Sequence, residues 1–281
     1  MGKETQFPMW EAFSQIHIYS AYTLAMKAAG IEIRYKKGLR ERPQELVFDE
    51  YFAYVIGSLF ASVGFLEALI NEVFLLADRH VYMRAKGESP ADIIRLLSPR
   101  VIESLAKAWN STPIKFKDYP DLARTLLHIK PGQAQIKHFS GGSALNKFQL
   151  ALNLSDNAQP FDTNDKGLKA VDLLIRLRNQ LTHYKPNFVT VHSSGVSFKV
   201  EIVEATELMK ELELLQKCSS PLFHGKDAFI PLLGANCAMW GVDSSLQFVA
   251  EFSRRMPLEL NYRVCELALK RQNAAVLGSG L

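Results

Sequence analysis

Residues 51–78 read YFAYVIGSLFASVGFLEALINEVFLLAD, and this apolar stretch decides the fold class of the chain. Its first twenty residues contain one charged side chain, Glu67, so by length and hydropathy they would fit a membrane span. An acid within lipid is costly, glycines and serines dilute the apolar run, and the pattern continues through Asn71 to Asp78. We therefore predict the long central helix of a soluble bundle over residues 48–77, with a membrane-associated helix as the alternative.

The sequence before this helix predicts a helical extension over residues 1–47. Apolar positions recur at helical spacing over Trp10–Ala29, and Gly30 is expected to stop that helix. A connector rich in lysine and arginine follows at 34–42 and ends at Pro43. Such a strip can bind phosphates, or it can be an ordinary solvated loop, and we favour the loop.

The sequence after the long helix predicts a series of shorter helices. Ser98-Pro99 has the residue types of a helix start, since serine caps the N-terminus and proline suits the first turn. Further helices are expected at 122–129, 144–152, 166–184, 205–216, 234–255 and 258–274, and a β-hairpin at 188–202. The predicted fold class is all-α, an up-and-down helical bundle with a small β-hairpin and extra N- and C-terminal helices. The predicted domains are 1–47, 48–215 and 216–281.

Composition describes an ordinary folded protein and leaves several classes of partner open. The chain has 281 residues, 48% of them hydrophobic, and a net charge of +4, which permits a nucleic-acid partner without requiring one. The three cysteines (Cys218, Cys237, Cys265) are too widely spaced for a metal or disulfide framework, which favours reduced thiols. The N-terminus lacks a secretion-signal pattern. We expect a cytoplasmic protein.

The helix predicted at 166–184 has an unusual distribution of polar residues. At 100° per residue, the side chains of Asp172, Arg176, Asn179 and His183 fall within about 60° of one another. The remaining circumference is mostly apolar, as expected for a central helix.

Arg178 lies inside the apolar arc of this helix rather than on its polar stripe. A guanidinium there is costly unless it is paired or opens onto a cleft, and Glu67 is the candidate partner. Arg178 and His183 are about 140° apart on a straight helix. They can converge if the helix frays near His183, or if a twofold-related copy brings a second pair alongside.

The stretch from Arg178-Asn179 to His183 resembles the Arg-x4-6-His signature of the HEPN superfamily. The helix containing Glu67 and Asn71 is similar to the first core helix of that fold, and the resemblance covers roughly residues 48–215. It implies a helical bundle, commonly a homodimer in which two motifs face each other across a composite site. Many members are metal-independent endoribonucleases of toxin, abortive-infection or antiphage systems.

Carried to this chain, the resemblance implies an RNA substrate, no cofactor and no metal. His183 would be the general acid or base, Arg178 would hold the scissile phosphate, and Asn179 would orient one of them. The expected product is a 2′,3′-cyclic phosphate. Tyr184 joins Glu67 and Asn71 as a supporting residue. Because it follows His183 directly, unlike the His-x-Tyr of some toxins, modification by a nucleotidyltransferase antitoxin does not carry over.

The sequence therefore leaves two functional hypotheses from different classes. The first is a ribonuclease with a possible antitoxin or defence-system partner protein and no membrane. The second is a non-catalytic HEPN-like module that binds a nucleotide or a protein and dimerises. The presence of arginine, asparagine and histidine together favours the first.

Overall fold

The computed structural model describes residues 13–37, 44–87, 97–110, 144–156, 158–182 and 233–258. It also gives the backbone of four short strands and the isolated residues 208 and 211. The predicted helices at 122–129 and 258–274, most of 205–216 and the second half of the basic connector lie outside these residues. So do His183 and Tyr184.

The described residues are mostly helical, as predicted. The six helices are α1 (Phe13–Lys36), α2 (Gln44–Ala85), α3 (Pro99–Asn110), α4 (Ala144–Leu154), α5 (Lys166–Thr182) and α6 (Ala235–Arg255). Strands β1 (Ile114–Lys115) and β2 (Gln135–Ile136) form one antiparallel pair. Strands β3 (Thr190–Ser194) and β4 (Ser197–Glu201) form another, with Thr190 opposite Glu201.

The prediction that Gly30 ends the first helix is wrong, because α1 continues through it to Lys36. Glycine costs a helix interior about 1 kcal/mol relative to alanine, which tertiary contacts can offset. The next turn supplies such contacts: Ile31 and Glu32 are both buried. Part of the predicted basic connector, Arg34 to Lys36, is therefore helical.

The chain divides into two compact units. The first contains residues 1–16, 65–169 and 246–281. Its described core is aromatic: Phe148 meets the rings of Phe248 and Phe252 edge-on at 5.0 and 4.7 Å, and Phe161 stacks on Phe248 at 4.7 Å. Buried Gln149 fixes Phe161 by accepting from its N–H and donating to its carbonyl, both at 2.9 Å.

The start of α1 is also held within the first unit. Glu72, a buried carboxylate, accepts hydrogen bonds from the backbone N–H of Ser14 at 3.0 Å and from its hydroxyl at 2.6 Å. The first N–H groups of a helix have no partner within the helix, so this carboxylate satisfies one of them. The N-terminus of α1 is thereby joined to the middle of α2.

The second unit contains residues 17–64 and 170–245. Gly241 of α6 allows close helix packing there, since a Cβ at this position would lie 3.1 Å from Leu59 and 3.2 Å from Leu174. Ser58 donates a hydrogen bond to the carbonyl of Ala21 at 2.8 Å, which joins α2 to α1. Small residues at these positions let the helices approach one another closely.

One stretch of α2 bears on the membrane alternative. Within the described residues, Val47–Ala85 is the single helical segment with the length and apolar composition to cross a membrane. More than half of its apolar window, 56%, is buried inside the protein. The core helix of a soluble protein has the same properties, so this feature does not distinguish the two.

Candidate functional site

The N-terminus of α5 is fixed by a capping aspartate. Asp165 accepts hydrogen bonds through Oδ1 from the backbone N–H groups of Gly167, at 2.8 Å, and Leu168, at 3.1 Å. A side-chain oxygen at this position satisfies N–H groups that the helix itself leaves open. The start of the helix that carries the Arg178-Asn179 pair is therefore well defined.

Much of the apolar arc predicted for α5 is buried, although Ala170, Ile175 and Leu181 are half-buried. Leu168, Val171, Leu174 and Leu177 are fully buried, and Leu173 is 6% exposed. Burial of this arc fixes the rotation of the helix about its axis, and so fixes which side chains of its last turns reach solvent.

Arg178 is half-buried and Asn179 is exposed, so α5 brings these two motif residues together at the protein surface. The Nε atom of Arg178 is buried and makes no hydrogen bond within the part of the chain that the structure describes. The side chain as a whole does take part in an interaction with the rest of the protein. A half-buried arginine whose Nε is buried fits the predicted position in the apolar arc.

The other catalytic candidate, His183, lies outside the described residues, as does Tyr184. The convergence of Arg178 and His183 therefore stays a prediction. The last turn of the helix is tied locally by the hydroxyl of Thr182, which donates to the carbonyl of Arg178 at 2.8 Å.

The polar stripe of α5 carries an ion-pair network. Arg176 donates through Nε to Asp172 at 3.1 Å, and through both terminal nitrogens to Glu211. The hydrogen bonding that Arg176 donates to Glu211 is the main reason that the pKa of Arg176 is raised. Sequence reasoning placed Asp172 and Arg176 on one face and missed Glu211, since nothing in the helix that carries Arg176 indicates a carboxylate 35 residues away.

The predicted supporting residues Glu67 and Asn71 lie beside a cation that sequence reasoning missed. Lys147 of α4 is 5% exposed and donates a hydrogen bond through Nζ to Asn71 Oδ1 at 2.9 Å. Burial lowers the pKa of Lys147, and the negative charge of Glu67 opposes that shift. The sequence does hold a signal for Lys147, because it is the single charged residue of the otherwise uncharged helix α4. The predicted pairing of Glu67 with Arg178 stays a prediction.

A cavity of about 340 Å³ lies between the end of α2 and the start of α3. Its polar lining consists of His80, Arg84 and Glu103. His80 Nδ1 is buried without a hydrogen-bond partner among the described residues. Burial, and then the charge of Arg84, lowers the pKa of His80, which favours a neutral imidazole. Sequence reasoning did not single out this cavity.

Within the described ranges, no three histidine, cysteine, aspartate or glutamate side chains lie close enough together to hold a metal ion. Comparison of the chain with family models, with curated proteins and with solved structures found no match.

Proposed function

We propose that this protein is a metal-independent endoribonuclease in which Arg178, Asn179 and His183 act on the RNA backbone. The observation that carries the proposal is the placement of the first two residues. A capped helix with a largely buried apolar arc presents a half-buried arginine beside an exposed asparagine, which stands four positions before the motif histidine in the sequence. An arginine held by its surroundings is preorganised to bind a phosphate, because little side-chain freedom remains to be lost.

The reaction we propose is an internal transfer of the phosphoryl group. The RNA 2′-oxygen attacks the adjacent phosphorus, a 2′-O–P bond forms, and the P–O5′ bond breaks. One imidazole takes the proton of the 2′-hydroxyl, and a protonated imidazole gives a proton to the departing 5′-oxygen. Arg178 stabilises the negative charge that develops on the phosphate oxygens. The products are a 2′,3′-cyclic phosphate and a free 5′-hydroxyl.

Two copies of the motif would supply the two imidazoles that this scheme requires. A single His183 can perform both proton transfers only if it moves between the two oxygens. A homodimer with a composite site avoids that movement, which is why we include the dimer in the proposal. The defence or toxin role, the antitoxin partner and the cytoplasmic location belong to the same proposal.

The test is cleavage of RNA by the purified protein in excess EDTA. We expect the wild type to cleave and to leave cyclic phosphate ends, and His183→Ala to lose about 10²–10⁴-fold in rate. Arg178→Ala should lose about 10²–10³-fold, and Arg178→Lys should not restore the rate, because lysine lacks the planar fork. Matched controls are Arg254→Ala, an exposed arginine of α6, and His80→Ala, a histidine of the α2–α3 cavity.

Each outcome of this test has a definite meaning. Cleavage that His183→Ala leaves unchanged, in protein that retains its helical circular dichroism, would overturn the assignment. Cleavage abolished by EDTA in the wild type would overturn metal independence. Equal losses in the motif variants and in the two control variants would show damage to the fold rather than to a site.

A second candidate function is a non-catalytic HEPN-like module that binds a nucleotide or a protein. The partial burial of Arg178 and its engagement within the protein favour it, since a guanidinium used in packing need not contact a substrate. This candidate predicts intact RNA in the EDTA assay together with saturable nucleotide or RNA binding that Arg178→Ala weakens.

A further inference from the structure

Helix α1 exposes a row of apolar side chains on the face opposite its buried face. Ile16 is 54% exposed, Tyr19 60%, Met26 45% and Ile33 54%. Thr23 and Gly30, both partly exposed, occupy the remaining positions of the same row. We call these six positions, 16, 19, 23, 26, 30 and 33, the α1 row.

The spacing of the α1 row alternates between three and four residues. This is the a/d spacing of a heptad repeat, whose seam faces a second helix in a coiled coil. The row extends over 18 residues of one helix, and its first and last positions are about 25 Å apart at 1.5 Å per residue. The buried side of α1, which includes Ile18, Ala21 and Ala25, already packs inside the protein, so the α1 row is a second apolar surface on one helix.

We propose that a second copy of this chain docks on the α1 row, with the two α1 helices antiparallel. In an antiparallel seam each a position faces a d position of the other helix. A twofold axis between residues 24 and 25 then pairs every member of the row. Ile16 faces Ile33 of the partner subunit, Tyr19 faces Gly30 of the partner subunit, and Thr23 faces Met26 of the partner subunit.

The sizes of these side chains fit the antiparallel arrangement. A Cβ placed on Gly30 would meet nothing within 4 Å, so this position is an open recess at the surface of α1. Tyr19, the largest and most exposed side chain of the row, is the one that the register places over this recess. A parallel arrangement would place tyrosine against tyrosine and glycine against glycine, which leaves a clash and a gap.

The charges along the row fit the same arrangement. The exposed charged side chains along the row, Lys27 and Arg34, are both basic, as are the exposed Lys36 and Lys37 at the end of the helix, and Glu32, the acid of α1, is buried. Lys27 and Arg34 lie on one flank of the seam, where an antiparallel pair brings the same flank of both helices together. The nearest flank position to Lys27 is then Ser20 of the partner subunit, and the nearest to Arg34 is Phe13 of the partner subunit. No two like charges oppose each other, and Arg34 gains an aromatic ring that is half exposed in the single chain.

The exposed area reaches the lower limit for a specific dimer interface. Phe13 and the four large apolar members of the row each expose about half of their surface. A large side chain offers roughly 200 Å² in all, so five half-exposed ones give about 500 Å² per copy. Two copies would bury about 1,000 Å² before the flanking lysine and arginine stems are counted, which is the lower bound for a specific interface.

The first experiment measures mass in solution by light scattering and sedimentation. We expect the wild type to be dimeric at micromolar concentration, and Tyr19→Glu to be monomeric. The matched control is Tyr82→Glu, since Tyr82 is 59% exposed on α2 and lies outside the row. Gly30→Leu should raise the dissociation constant at least about tenfold by filling the recess. Circular dichroism confirms that each variant is folded.

The second experiment fixes the orientation by disulfide trapping. Ile16→Cys combined with Ile33→Cys should give a covalent dimer under oxidising conditions, because antiparallel helices bring these positions together. The two cysteines lie about 25 Å apart on one helix, so they cannot bridge within one chain. Each single variant should stay uncrosslinked, like the wild type with its own three cysteines.

Three results would overturn this proposal. A wild type that stays monomeric at the highest soluble concentration excludes the dimer. Single cysteine variants that crosslink as readily as the double variant indicate parallel packing. The third result is a monomer that binds anionic vesicles, with binding abolished by Tyr19→Glu and unchanged by Gly30→Leu. It would identify a lipid surface as the occupant, because membrane binding does not require a recess at position 30. The dimer through α1 does not depend on the proposed ribonuclease, which has its own EDTA test.

Discussion

Replacing Arg255 with alanine should destabilise the protein far more than the same change at its neighbour Arg254. Arg255 lies at the end of α6 with 18% of its side chain exposed. It donates to Glu251 at 2.7 Å, to the carbonyl of Pro160 at 2.9 Å, and to the carbonyl of Gln159 at 3.2 Å. Its guanidinium also lies 4.1 Å from the centre of the Phe161 ring.

The magnitude follows from these contacts. Hydrogen bonds that involve a charged group contribute about 1.5–3 kcal/mol each, and a partly desolvated cation over an aromatic ring about 1 kcal/mol. Contributions within one network are not additive, so we expect a total loss of about 3–4 kcal/mol for Arg255→Ala. For a chain of this size that lowers the melting temperature by about 10 °C. Arg255→Lys should fall between, because lysine keeps the charge but not the fork.

Arg254 is the matched control. Its side chain is 72% exposed and pairs with the same carboxylate, Glu251, at 2.7 Å. Exposed ion pairs contribute little, so Arg254→Ala should lower the unfolding free energy by about 1 kcal/mol or less. Chemical denaturation of both variants under identical conditions is the assay. Equal losses in the two variants would refute the reasoning, because they would show that the carbonyl and ring contacts of Arg255 contribute nothing.

Three further predictions concern stability. Phe148→Ala should lower the free energy of unfolding by about 3–5 kcal/mol in a denaturation experiment, because it removes a fully buried ring from the aromatic core; a loss below about 1 kcal/mol would contradict the fold. Hydrogen bonds from Arg254 and Arg255 lower the pKa of Glu251 to about 2. The wild type should therefore have a higher free energy of unfolding than Glu251→Gln above about pH 4.5, and this difference should disappear as the pH falls to 2. A difference that does not change with pH would contradict this prediction. Burial lowers the pKa of Lys147, so in alkaline solution the unfolded chain binds more protons than the folded protein. The free energy of unfolding of the wild type, relative to that of Lys147→Met, should therefore rise as the pH increases towards 10.5. A difference that stays constant or falls would contradict this prediction.

The long helices were predictable because their signals are local. The apolar run at 51–78 is too long for anything but a helix, and the structure confirms it within α2. Its last two turns were missed because the apolar pattern fades there, and Val81 and Tyr82 are exposed. Ser98-Pro99 marked the start of α3 correctly, and Ser98 Oγ accepts from the N–H of Val101 at 3.3 Å.

The missed features all depend on contacts distant in sequence. The extension of α1 beyond Gly30 depends on the burial of Glu32, and the spacing of apolar residues within the helix does not predict that this acid is buried. Of the candidate site, the helical wheel predicted Arg178 within the apolar arc and Asn179 on the polar stripe, and the structure has Arg178 half-buried and Asn179 exposed. Their roles at a site stay predictions. It could not identify Lys147 beside Asn71, because the pairing joins residues 76 positions apart.

The buried carboxylate of Glu32 makes the order of synthesis matter for this fold. It accepts hydrogen bonds from the hydroxyl of Tyr51 and, at 2.8 Å, from the backbone N–H of Ala235, the first residue of α6. The acceptor and that second donor are 203 residues apart. Translation adds about 5–20 residues per second, so α1 and α2 would exist for about ten seconds or more before α6 emerges. During that interval Glu32 lacks a donor it has when folded, and a buried acid without its donors is strongly disfavoured. We expect the nascent chain to keep this part of α1 hydrated until α6 arrives, so that helix–helix closure occurs late in folding.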